Sequence, residues 1–135
     1  MGGVTKESIK ALKPGRFVLI EGEPCRVLSV TTSVAGKHGS AKARLEAVGI
    51  FDGKRRSVVK PADEEIEVPV IEKKSAQVIA VLGDHVQLMD LETYETFEVP
   101  MPEDESLKEK IKEGSEVIYW DIVGRKMIVQ SKGEQ

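Results

Sequence analysis

The sequence predicts an all-β protein built as two small barrels. Short runs of β-branched and apolar residues recur along it, Gly, Pro and Asp-Gly turn signals separate them, and a single segment switches to a helical period. A chain of 135 residues suits one ordinary domain or two of the smallest all-β modules. With 40% hydrophobic and 32% charged residues it has the means to bury a core and lacks the composition of a disordered chain.

In the first half, Lys13-Pro14-Gly15 opens a strand at about Arg16 to Ile20, and Glu21-Gly22-Glu23 turns it into a second at about Cys25 to Val34. A third strand, Ala43 to Phe51, meets Asp52-Gly53, the strongest short hairpin signal present, and a fourth follows from Lys54 to Lys60. Glu65 to Val68 alternates charged and apolar residues as a half-buried strand does, and Pro69 marks an edge or a boundary. The polar stretch Glu72-Lys73-Lys74 follows, and the division falls there: 1–71 for the first barrel, 72–135 for the second.

The second half reads as a meander, Gln77 to Leu82, Val86 to Asp90 and Tyr94 to Val99, stopped by Pro100-Met101-Pro102. Leu107 and Ile111 lie four apart among lysines and glutamates, which predicts a helix over 104–113 with Gly114 as its stop. A last hairpin runs from Val117 to Val123, turns at Gly124-Arg125 and returns over Met127 to Gln130. Five short strands with one helix between the third and fourth suit an OB-fold.

Several function classes are excluded or disfavoured. No apolar run approaches the roughly 18 residues of a membrane span, and Met1 to Lys6 has no secretion-signal pattern, so the expected address is the cytoplasm and no membrane partner is expected. The one cysteine, Cys25, reads as a buried structural thiol, and His38 and His85 supply no metal-ligand spacing. No carboxylate pair or triad points to catalysis, so no enzyme and no cofactor are expected.

Charge is distributed unevenly: residues 1–69 hold 12 Lys and Arg against 9 Asp and Glu, or +3, while 70–135 hold 8 against 14, or −6. Between positions 37 and 60 seven cations, Lys37, Lys42, Arg44, Lys54, Arg55, Arg56 and Lys60, face only Glu46 and Asp52, a surface suited to phosphates.

The loop from Ser33 to Lys42 places Gly36 and Gly39 around Lys37 and His38, and their backbone freedom lets Lys37 project from a tight tip. A phosphate-cradling nucleotide loop is rejected, since Thr31 stands where its first glycine belongs and His38 where Ser or Thr is required. Nearby His38 and Lys42 disfavour a protonated amine at Lys37, which favours its use as a nucleophile.

Gly36-Lys37-His38-Gly39, Ala41-Lys42 and Val48-Gly49-Ile50-Phe51-Asp52-Gly53-Lys54 together resemble the translation initiation factor 5A family. The likeness runs through Lys13-Pro14-Gly15, Pro24-Cys25-Arg26-Val27 and Glu67-Val68-Pro69, and is closer to archaeal members. Departures stand beside the tip, at Val34, Ala35 and Ser40.

The resemblance implies an SH3-like N-terminal barrel followed by an OB-fold. It also implies that Lys37 is converted to deoxyhypusine or hypusine by an aminobutyl group from spermidine, transferred by the partner deoxyhypusine synthase. The expected partner is the ribosome, both rRNA and peptidyl tRNA, with no DNA. The expected contacts are Gly36, Lys37, His38, Gly39, Ser40, Lys42 and Arg44, aiding peptide-bond formation during stalled elongation and termination. The competing reading is a general RNA-binding module that uses the basic region from Lys37 to Lys60 without modification.

Overall fold

The computed structural model describes residues 3–34 and 41–132. Contacts divide the chain into one compact unit over Gly3–Val70 and another from Ile71 onward.

The first unit contains β1 (Val4–Ser8), a 3-10 turn (Ile9–Ala11), β2 (Phe17–Ile20), β3 (Glu23–Val34), β4 (Ala41–Gly49), β5 (Arg55–Pro61) and β6 (Glu65–Pro69). A four-stranded sheet runs β2-β3-β4-β5, and β1 pairs antiparallel with β6 from Val4↔Pro69 to Ser8↔Glu65. Alternation sets the faces: Ala43, Leu45 and Ala47 of β4 are fully buried, while Lys42 and Arg44, on either side of Ala43, are exposed. Ile9 joins this core beneath Val18, Val27 and Leu45, its amide held by the Glu64 carbonyl at 2.9 Å. A bulge between Val27 and Ser29 bends the long β3, the kind of distortion that lets a sheet curl into a barrel.

Tight turns follow the chemistry of their residues. Ile20 pairs with Glu23 across Glu21-Gly22, both with positive φ (52° and 81°), the mirror-image turn whose twist matches a hairpin. The connection at Asp52-Gly53 is longer than the two-residue hairpin the sequence suggested. β4 already ends at Gly49, because the Ile50 amide turns to the Pro24 carbonyl (3.0 Å) and the Asp52 side chain folds back over the loop.

In the second unit, β7 (Ile71–Leu82), β8 (His85–Asp90), β9 (Thr96–Pro100), β10 (Glu116–Ile122) and β11 (Arg125–Lys132) form one sheet in the order β11-β10-β7-β8-β9. The outer strands β9 and β11 approach each other, which closes the five-stranded OB barrel, with α1 (Glu105–Lys108) between its third and fourth strands. Glu72-Lys73-Lys74, where the sequence placed the division, already lie in β7, which begins at Ile71, and pair with Asp121, Trp120 and Tyr119 of β10.

The helix expected over 104–113 is one turn only. Asp104 caps it through a bond from the Leu107 amide at 3.1 Å, after which Lys110 and Ile111 bond three residues back instead of four. Leu107 and Ile111 still reach the core, so the spacing reported burial correctly but not helix length. The final turn centres on Val123-Gly124, with Ile122 opposite Arg125, one residue earlier than expected.

One polar group organises this barrel. Asp90 is 2% exposed, takes the Tyr119 hydroxyl at 2.5 Å, and accepts the Glu92 and Thr93 amides at 2.7 and 2.9 Å. Burial by itself would raise its pKa, but these three donors outweigh that effect and hold the carboxyl below its ordinary range. Its contribution to stability is therefore full above the ordinary carboxylate pKa and is lost as pH falls.

Leu45→Ala and Leu88→Ala, each at a fully buried position, are expected to cost about 2–5 kcal/mol in chemical denaturation. Tyr119→Phe is expected to cost about 1–3 kcal/mol at neutral pH and less in acid, where protonated Asp90 loses its advantage in either chain; urea midpoints across pH provide the check.

Candidate functional site

The longest hairpin of the first unit carries the site. β3 and β4 pair from Cys25↔Gly49 through Thr31↔Arg44 and Ser33↔Lys42 to Val34↔Ala41. Six residues, 35–40, separate the last pair, so the segment that holds the sequence-predicted tip is bracketed by a ladder that is continuous from Ser29↔Glu46 outward. Gly36, Lys37, His38, Gly39 and Ser40 themselves lie outside the described residues. Lys42 and Arg44 are described, both on the outward face of β4 and both exposed.

Antiparallel register places the side chains of opposed residues on one face. The outward face of this sheet therefore gathers Thr31 and Ser33 from β3, Lys42, Arg44 and Glu46 from β4, and Arg55 and Ser57 from β5. Glu46 receives Arg44 Nε at 2.9 Å on one carboxylate oxygen and Arg55 Nη2 at 3.3 Å on the other. The Arg44 hydrogen bond, then that from Arg55, holds its pKa below the usual range. Lys60 pairs with Glu64 at 3.1 Å. Lys42, next to the end of the ladder, carries no ion pair among the described residues.

A second cluster braces the base of the hairpin. Asp52 and Arg56 form a two-pronged pair at 2.8 and 3.2 Å, and Asp52 also accepts the Lys54 amide at 2.9 Å. Bonding by Arg56 and then by that amide keeps Asp52 far below the ordinary carboxylate range. The arrangement requires a glycine at 49, since a Cβ there would stand 2.0 Å from Asp52 Oδ1 and 2.8 Å from Arg56 Nη1. Cys25 is buried beside this cluster, its thiol pKa pushed up chiefly by burial, as suits a structural residue.

The seven-to-two charge excess read from positions 37–60 thus becomes a mostly paired surface: Arg44, Arg55, Arg56 and Lys60 each hold a carboxylate. Sequence reading overlooked Glu46, Asp52 and Glu64 as partners. Arg44 and Glu46, two apart on a strand, were legible as neighbours on one face; Arg55 against Glu46 depends on strand register. His85, exposed, lies 2.8 Å from Asp84, and no group of three or more His, Cys, Asp or Glu side chains among the described residues is placed to hold a metal ion. No helix among the described residues is long and apolar enough to cross a membrane.

Comparison with known proteins bears on this architecture. Residues 5–64 match the family model described as translation initiation factor 5A-like, N-terminal, and residues 70–132 match that described as eukaryotic elongation factor 5A hypusine, DNA-binding OB fold. Translation initiation factor 5A of Pyrococcus furiosus is 58% identical, aligned over 100% of this chain and 99% of its own length. That of Methanopyrus kandleri is 52% identical, covering 98% of this chain and 97% of its own. Among solved structures, the factor 5A from Methanococcus jannaschii superposes with a TM-score of 0.86 at 41% identity, covering 96% of this chain and 95% of that one.

An SH3-like barrel carrying a long basic hairpin, followed by an OB-fold, is thus the framework of a class of translation factors and not of a known enzyme family. The chain belongs to the translation initiation factor 5A family.

Arg56→Gln is expected to return Asp52 towards the ordinary carboxylate range, as read by NMR titration, and to reduce the acid-labile stability that a depressed pKa provides, leaving the share that the Lys54 amide supplies. Gly49→Ala is expected to lower the thermal midpoint of the protein by forcing Asp52 off Arg56.

Proposed function

We propose that the protein acts on the ribosome by placing a modified Lys37 beside the acceptor end of peptidyl tRNA, supporting peptide-bond formation when elongation stalls and at termination. The observation that carries this reading is the β3–β4 ladder, which runs without interruption from Ser29↔Glu46 to its end at Val34↔Ala41, in a chain whose relatives are translation factors. Such a ladder gives the 35–40 segment a firm base, and Lys42, which has no ion-pair partner among the described residues, adds attraction for phosphate beside it.

In this reading Lys37 receives an aminobutyl group from spermidine through deoxyhypusine synthase, giving deoxyhypusine or hypusine. The lengthened amine makes charge-assisted hydrogen bonds to phosphate and ribose oxygens beyond the reach of lysine. Gly36, His38, Gly39, Ser40 and Lys42 contribute to the same approach, and Arg44 does so only where a phosphate displaces Glu46 from it. Holding the tRNA reduces the orientational cost of a reaction the ribosome itself catalyses, so no group of this chain has to move a proton. The site of action is the cytoplasm.

The pairing of Arg44, Arg55, Arg56 and Lys60 with carboxylates weighs against a general RNA-binding module that depends on seven free cations.

Protein isolated from its own cells is expected to carry the aminobutyl increment on the Lys37 peptide by mass spectrometry. Lys37→Arg, which keeps a cation but removes the acceptor amine, is expected to abolish both the increment and the stimulation of peptide synthesis through stalling sequences. Full stimulation by that variant would overturn the proposal.

A further inference from the structure

We propose that Glu46 is a specificity-determining residue: by holding Arg44 and Arg55 in ion pairs, it restrains the outward face of the first sheet from adhering to RNA backbones in general. The inference rests on the reading above only in taking an RNA-rich partner as given.

The geometry is that of an anion seated among cations. The Glu46 side chain is 29% exposed, whereas Arg44 and Arg55 stand above it at 57% and 71%. Each carboxylate oxygen is taken by a different guanidinium, one from the same strand and one from its neighbour. A phosphate approaching either arginine must displace that carboxylate or accept its repulsion.

Exposed ion pairs add little to folding stability, so stability does not account for a carboxylate at the centre of a basic face. A repulsive or masking element is, by contrast, an ordinary means of rejecting wrong partners. The charge is also graded along β4: Glu46 masks the interior of the face, while Lys42, four residues closer to the hairpin end, has no ion-pair partner among the described residues. Backbone attraction is thereby directed towards the end of the hairpin and away from the broad sheet surface.

The test uses the purified full-length chain, unmodified at Lys37, and a fluorescent poly(U) oligonucleotide titrated at several salt concentrations. E46Q is expected to bind several-fold tighter than the parent at low salt, with the salt slope steeper by about 0.7 for each arginine released to a phosphate. Adding Arg44→Gln and Arg55→Gln to E46Q is expected to remove that gain. E98Q, which makes the same change in net charge on an exposed strand position of the second unit, is expected to leave binding unchanged. Equal binding by E46Q and the parent would overturn the proposal, as would an equal gain from E98Q or a gain that survives loss of both arginines. Because neither probe nor protein carries the aminobutyl group, this outcome is independent of whether Lys37 is modified.

Discussion

The antiparallel pairing of β3 with β4 is the constraint on which the rest of the first barrel depends. Burial of Ala43, Leu45 and Ala47 on one side of β4 leaves a single register open to it, since a slip of one residue would turn Lys42 and Arg44 into the core. That register carries the ladder out to Val34↔Ala41 and brings Arg55 of β5 within reach of Glu46. Apolar packing on the hidden face therefore decides the electrostatics of the visible one.

Close packing at the other end of the hairpin follows the same logic. Gly49 is the place where the chain trades a side chain for room, and Asp52 fills that room so that Arg56 and the Lys54 amide can both bind it. The segment from Val48 to Lys54, which carries part of the family resemblance, is thus one physical unit: a strand end, a turn and a bonded carboxylate. Cys25 packs beside it as an inert member of the core. The second barrel has its own polar centre in Asp90, whose burial is offset by Tyr119 and two loop amides, and which fixes the path between β8 and β9.

Much of this fold was legible from local pattern. The alternation in β2 to β6, the turn at Glu21-Gly22 and the order of strands around a short helix all appear in the sequence as periodicity and turn chemistry. β1 escaped notice because Val4 to Ser8 lacks an apolar face of its own and becomes a strand by pairing with β6, some sixty residues away. The helix was overestimated because Leu107 and Ile111 are core residues joined by a tightened turn, and burial at that spacing imitates a longer helix. The polar Glu72-Lys73-Lys74, where the sequence placed the division, lies inside β7 because β10 supplies its hydrogen bonds.

By itself, then, the sequence determined the all-β class, the OB-like strand count and the family resemblance, with Lys37 as the candidate residue for modification. Those properties reside in neighbours along the chain or in strings of residues. Only the tertiary structure decided which charges remain available on the basic face, because Glu46 and Arg55 are brought together by the pairing of β4 with β5 across the intervening turn, and only it brought Tyr119 to Asp90 inside the second barrel. Charge counted along a sequence is additive; charge on a folded surface is set by which opposite group the sheet register places within bonding distance.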